Sequence, residues 1–167
     1  MELWDILDKD GNKIGKLHER GKPMADGEYH LIIDVWIKNS KNEFLISKRT
    51  TDKHPDPDKW APTCGSAITG DDSMSAALRE TKEELNITLN PENGKKIKRF
   101  IIGRENIIDV WLFEQEVDIN DIIFQPGETD DAKWATADEI RRLISEDKFM
   151  RPKRVAYVEE LFQICGV

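Results

Sequence analysis

Cysteine is scarce in this chain. Cys64 and Cys165 are far apart and in no C-x-x-C pair, so neither a disulfide framework nor a structural zinc site is suggested, and a reducing compartment fits best. No apolar run approaches the ~20 residues of a membrane span, which argues against a membrane partner. A basic block is missing too. The 25 Lys+Arg stand against 33 Asp+Glu, and the formal net charge of −8 repels a phosphate backbone at long range, which speaks against a nucleic-acid polymer as partner. The opening residues Met1-Glu2-Leu3-Trp4-Asp5 lack the basic and then apolar pattern of a secretory signal, so a cytoplasmic location is expected. Neither an internal repeat nor a low-complexity linker divides the chain, and residues 1–167 are expected to form a single domain.

With 38% hydrophobic residues in 167, the chain is long and apolar enough for a real core. Small anionic substrates remain compatible with its charge if a metal offsets theirs. Leu3–Leu7 and Lys13–Leu17 flank the turn signal Asp8-Lys9-Asp10-Gly11-Asn12 and read as a hairpin. The same acidic run has the look of a calcium loop, but no glutamate stands at the loop's last position. Leu31–Ile37 and Glu43–Ser47 form a second hairpin about Asn39-Ser40-Lys41-Asn42. Pro55, Pro57 and Pro62 mark a surface loop leading to Trp60 and Cys64. Met74–Leu85 is strongly helical. Further strands are expected at Lys98–Ile102, Ile107–Val117, Ile122–Phe124 and Ala132–Ala135. Thr136 with Glu139 reads as a capping box for a helix through Ser145, and Pro152 as the start of a last helix through Ile164. Helices between strand groups suggest a mixed sheet covered on both faces.

The stretch from Gly65 to Ile87 is the most informative. At about 100° per residue, Glu80, Glu83 and Glu84 share an arc of about 100°, while Ala77, Thr81, Met74, Leu85 and Leu78 fill a separate packing arc. Like charges at such spacings cost a helix roughly 0.2–0.5 kcal/mol per pair, and Lys82 points elsewhere. A hard cation such as Mg²⁺ or Mn²⁺, bridging carboxylates to phosphates, would relieve them. A face solvated by water and partly paired with Arg79 is the alternative.

The same stretch resembles the Nudix box, G-x5-E-x7-R-E-U-x-E-E-x-G-U with U a bulky apolar residue. Gly65, Arg79, Glu80, Glu83, Glu84 and Ile87 match at the required spacing. Asp71, Thr81 and Asn86 stand where the pattern has glutamate, an apolar residue and glycine. Asn86 follows the helix where a left-handed residue is expected, which Asn tolerates. The shorter Asp71 is expected to reach a metal or Arg79 less well. The resemblance implies an α/β/α sandwich with a mixed β-sheet and the N-terminal hairpin added. It also implies a divalent metal, Mg²⁺ or Mn²⁺, held by Glu80, Glu83 and Glu84, and a small-molecule diphosphate as substrate. Arg79 would orient Glu80. A further carboxylate is expected from Glu128, with Glu105 and Asp109 as rivals, and Arg49 and Gly65 are placed against the substrate. A homodimer is kept as an option.

Within that family the chain is similar to the branch related to isopentenyl diphosphate isomerase, through Gly15, Tyr29-His30-Leu31, Val35-Trp36 and Trp60-Ala61-Pro62-Thr63-Cys64-Gly65. His30 matches one isomerase metal ligand and Cys64 a proton-transferring cysteine, but Ser66 stands at another histidine's place and Ile107–Trp111 lacks the isomerase's glutamate pair. Pyrophosphate hydrolysis is therefore expected, with isomerisation and a non-catalytic nucleotide-binding module as alternatives. Cys64 and His30 are read as packed core residues. Trp60 and Trp111 are possible base-stacking rings, more simply read as core.

Overall fold

The computed structural model describes residues 1–167. Strand β1 (Leu3–Leu7) pairs antiparallel with β2 (Lys13–Glu19) as a separate two-stranded hairpin. Its turn uses the acidic run on the chain's own amides: Asp8 Oδ1 accepts from the N–H groups of Asp10 and Asn12. The main sheet contains β3 (His30–Lys38), β4 (Phe44–Arg49), β5 (Trp60–Ala61), β6 (Thr63–Ser66), β7 (Gly94–Ile102), β8 (Asn106–Glu114) and β9 (Thr129–Ala135). The order β5-β4-β3-β8-β7 is mixed, because β3 and β8 run parallel while the other pairings are antiparallel.

Strand β3 is buried on both faces, as a central strand should be. Its residues Ile33, Val35 and Ile37 pack with helix α1 (Ser73–Leu85) through Ala76, Ala77 and Leu85. Trp36, on the opposite face, joins Phe44, Phe149 and Phe162 in a second apolar cluster under α2 (Ala137–Ser145) and α3 (Val158–Cys165). Each such fully buried side chain contributes about 1.5–3 kcal/mol relative to exposure. The result is an α/β/α sandwich.

The turn between β3 and β4 joins them only at Lys38 and Phe44; the strands then part. Strand β6 enters the wedge and pairs with β3 from Ile32 to Val35, while β4 pairs with β5 and β9. That split opens a cleft where the start of β3, the end of β4 and the exit of β6 meet.

Five local expectations are corrected. Ile122–Phe124 is not a strand; Ile122 and Phe124 pack on the α1 side of the core, while the N–H groups of Ile123 and Gln125 donate to the Leu85 and Glu84 carbonyls at the end of α1. The last helix begins at Val158 rather than Pro152, because Arg154 and Val155 lie in turns that bury both side chains. Thr136 caps α2 by accepting from the Glu139 N–H, but the Glu139 carboxylate pairs with Lys133 instead of completing the box. Strand β7 starts at Gly94, earlier than expected, and β8 ends at Glu114, short of Val117.

Candidate active site

Helix α1 is fixed at both ends by its own sequence. Asp72 accepts from the Ser75 N–H and Ser75 Oγ accepts from the Asp72 N–H, a reciprocal cap typically worth about 1 kcal/mol. At the other end Asn86 takes φ 57° and ψ 28°, the left-handed conformation expected of it. Thr81, in the packing arc, satisfies its hydroxyl by donating to the Ala77 carbonyl.

Arg79 organises the acidic side of this helix. Its Nη2 and Nε donate to Asp71 Oδ2 at 2.8 and 3.1 Å, its Nη1 donates to Glu80 at 2.8 Å and Glu83 at 3.2 Å, and Nη2 also reaches the Ser66 carbonyl. Burial works against the guanidinium's charge, but Asp71 and Glu80 more than offset it and raise its pKa. The shorter aspartate at position 71 thus does reach Arg79. It also accepts from the Ile68 N–H, which ties the loop to the helix start.

The three glutamates are not equivalent. Glu83 is the exposed one, Glu80 is half-buried with its carboxyl pushed up mainly by burial, and Glu84 is only 6% exposed. Burial, then the neighbouring Glu80 charge, pushes Glu84 up to about 8, with Lys53 and Arg49 pulling the other way. Of the alternative of a solvated face partly paired with Arg79, the pairing is present at Glu80 and Glu83, whereas Glu84 is buried rather than solvated. Gly65 sits directly below: a Cβ there would collide with the Glu80 carboxyl, so the bare backbone makes room for it.

Around these groups lies a cleft of about 290 Å³. Glu80, Glu83, Glu84 and Glu128 border it on the acidic side, and Gly65 and Cys64 at the β6 exit. Glu128 pairs with Lys53. Arg49 also borders the cleft, and its Nε and Nη2 bond only to the Pro55 and Asp56 carbonyls, so its charge meets no carboxylate. Glu105 and Asp109 do not line the cleft; Asp109 is fully buried and held by Arg99 and Ser73.

The donor set fits a hard divalent cation, since it offers carboxylate oxygens of which one, on Glu84, is buried without an ion pair. In this structure no three His, Cys, Asp or Glu side chains close on a single point, because Arg79 holds Glu80 and Glu83 to itself.

Of the other sequence candidates, His30, Trp60 and Trp111 fall outside this arrangement, while Cys64 lies at its edge. His30 is buried face to face with Trp4, a packed core residue as expected, with its Nδ1 left without a hydrogen-bond partner. Trp111 donates to Ser73 Oγ within the core, and Trp60 packs on the aromatic cluster beneath the Lys133 ammonium. Cys64 borders the cleft with its thiol against the Pro62 carbonyl and Met150 Sδ, and burial, then Asp34, raises its pKa well above the usual thiol range.

One group went unseen in the sequence. Arg154 donates to both oxygens of the fully buried Asp34, at 2.6 and 3.1 Å, and Tyr157 donates to Asp34 at 2.9 Å while accepting from the Trp36 indole. A charged residue in the middle of the apolar strand Leu31–Ile37 signals that a partner must exist, but nothing local points 120 residues away to Arg154.

Comparison with known proteins places these features in context. The family profile described as NUDIX domain matches residues 28–156. An uncharacterized Nudix hydrolase of Listeria monocytogenes is 38% identical over 151 residues, covering 90% of this chain and 89% of that protein. An isopentenyl-diphosphate Delta-isomerase of Streptomyces griseus is 28% identical over 87 residues, 52% of this chain and 44% of that one. Among solved structures, a protein of Deinococcus radiodurans superposes with a TM-score of 0.76 over 95% of this chain and 98% of its own, at 18% identity.

Proposed function

The chain belongs to the Nudix family, as a Nudix-type hydrolase, and from that premise we propose that its cleft cleaves a pyrophosphate bond in a nucleoside diphosphate derivative or a related organic diphosphate, with Mg²⁺ or Mn²⁺ as cofactor. The observation that carries this reading is the presence in one cleft of a buried carboxylate, Glu84, that makes no direct ion pair, and of Arg49, whose guanidinium bonds only to backbone carbonyls. Such a pair of walls suits a phosphate chain bound through a metal on one side and a guanidinium on the other.

When bound, the divalent ion supplies charge neutralisation at the phosphate oxygens and acidifies water. Glu83 and Glu84 would hold it, with Glu80 and Glu128 as further oxygen donors. Arg79, locked onto Asp71, fixes the direction of Glu80. Glu80 is assigned to take up the proton of the attacking water, a role that suits a carboxylate raised by burial. Arg49 grips a phosphate oxygen, held for that purpose by the Pro55 and Asp56 carbonyls. The oxygen of water forms a new bond to one phosphorus, the bridging oxygen leaves with the electron pair, and one proton is released.

Isomerisation is less well supported. The isomerase resemblance rests partly on His30 as a metal ligand, and His30 lies under Trp4 outside the cleft. The deciding experiment incubates the protein and Mg²⁺ with nucleoside diphosphate derivatives, dinucleoside polyphosphates and isopentenyl diphosphate, followed by phosphorus NMR. Inorganic phosphate or a nucleoside monophosphate is expected. The dimethylallyl isomer, or binding without turnover, would overturn the proposal.

A further inference from the structure

The turn that carries Asp71 is held from outside by the N-terminal hairpin. Asp71 N–H donates to the Ile68 carbonyl at 3.0 Å, which closes a β-turn with Gly70 at its third position and φ 91°. Strand β1 takes both central N–H groups of that turn. Thr69 N–H donates to the Leu3 carbonyl at 2.9 Å, and Gly70 N–H donates to Asp5 Oδ2 at 2.9 Å. The same carboxylate oxygen pairs with Lys13 on β2 at 2.8 Å. Lys13, then the Gly70 N–H, holds the Asp5 carboxyl below the usual carboxylate range, so it is charged where it grips the turn.

The hairpin can serve as a strut because it is also fixed to the main sheet. Leu7 and Tyr29 exchange both backbone bonds, at 2.8 and 3.0 Å, just before β3 begins, and Trp4 stacks on His30 with ring centroids 3.9 Å apart. Glu2 and Arg20, at the open end of the hairpin, border the cleft itself. Both β1 and β2 precede the family-matched residues 28–156, so the family match assigns them no part in the site.

A continuous line of bonds runs from β1 to Glu80. Asp71, next to Gly70, accepts from Arg79 at 2.8 and 3.1 Å, and Arg79 donates to Glu80 at 2.8 Å. A shift of the turn therefore moves Asp71, then the guanidinium, then the carboxylate assigned to take up the proton. Aspartate at position 71 is a methylene shorter than the glutamate of the Nudix box, so it has less slack to absorb such a shift. Loops are the mobile parts of a site unless something ties them down.

Resting on the hydrolase reading above, we propose that Asp5 is a positioning residue for hydrolysis: through Gly70 it fixes the turn, and with it the reach of Asp71 to Arg79 and the direction of Glu80. The N-terminal hairpin is then a working part of the site.

The test is Asp5→Ala, at a partly exposed side chain on the separate hairpin, beside Asp5→Asn and Ile6→Val. Asparagine keeps an oxygen for the Gly70 N–H, whereas Ile6→Val loosens the hairpin at the next, fully buried residue without touching the turn. On whichever compound of the panel above wild type cleaves fastest, Asp5→Ala should lower kcat about tenfold with KM within about twofold, since a misplaced catalytic group slows the chemical step. Asp5→Asn should stay within about threefold of wild type and Ile6→Val within about twofold. Unchanged kcat in Asp5→Ala, a loss that falls on KM, no recovery in Asp5→Asn, or an equal loss in Ile6→Val would overturn the proposal. NMR of the Arg79 guanidinium separates it from the hydrolase reading, through the exchange with water of the Nε–H that donates to Asp71. If wild type cleaves nothing, hydrolysis falls; exchange about tenfold faster in Asp5→Ala but not in Ile6→Val still upholds the placement of Arg79 by Asp5, and equal exchange in wild type and both variants overturns it.

Discussion

The carboxyl group of Glu80 occupies the space that a side chain on Gly65 would need. The glycine is therefore a requirement of packing at the site rather than of backbone conformation. Gly65→Ala should displace the far end of a flexible side chain while leaving the sheet intact. The expected result is a thermal midpoint within a few degrees of wild type and kcat/KM lower by about 10- to 100-fold, the usual cost of misplacing a catalytic group by an ångström. Steady-state kinetics beside thermal denaturation checks both halves.

Asp71 acts through Arg79. Asp71→Ala removes both bonds to the guanidinium and the acceptor for the Ile68 N–H, so about 1–2 kcal/mol of stability and a 10- to 100-fold loss of kcat/KM are expected. Asp71→Glu keeps the charge and should recover activity to within about threefold. Failure of the glutamate to rescue would show that position 71 contributes through something other than its grip on Arg79.

His30 makes the fold sensitive to acid. Burial against Trp4 lowers its pKa to about 4, Asn106 partly opposing. The unfolded histidine binds its proton near pH 6.5, before the folded one does, so stability is full above that pH and falls as pH drops toward 4. Between pH 7.5 and 4.5 this single group should cost about 2–3 kcal/mol. Urea denaturation of wild type and His30→Gln at both pH values measures it, the variant showing a smaller pH-dependent loss by roughly that amount.

Divalent ions should stabilise the folded chain. The burial and, after it, the neighbouring Glu80 charge that raise Glu84 are present without metal, and an ion bound at about 100 times its Kd adds about 2.7 kcal/mol, or roughly 5–10 °C for a chain of this size. Mn²⁺ should raise the thermal midpoint of wild type by that range and leave Glu84→Gln nearly unmoved. An equal shift in both proteins would place the ion elsewhere.

Much of this molecule can be read from its chain because its signals are local. The near-continuous apolar run at Leu31–Ile37, the turn residues between β1 and β2, and the 3.6-residue period of α1 each specify an element within a few residues. The carboxylate row on α1 and its Arg79 neighbour are legible for the same reason. What escapes is set by tertiary contacts. Ile122–Phe124 has strand-like composition but spends its backbone on the end of α1. Glu84 sits in the acidic row yet is buried where the chain from Gln125 to Thr129 crosses the end of α1, a segment about 40 residues away in sequence. Arg154 finds Asp34 only once α3 has folded back over the sheet, and Pro152 marks a turn where a helix start is equally good local chemistry.

The most direct measurement is anomalous diffraction from crystals grown with Mn²⁺ and a non-hydrolysable diphosphate analogue. A peak within coordination distance of Glu83 and Glu84, with Arg79 withdrawn from Glu83, is the expected result. Absence of any peak beside Glu80, Glu83 and Glu84 while the analogue fills the cleft would contradict a metal-dependent hydrolase.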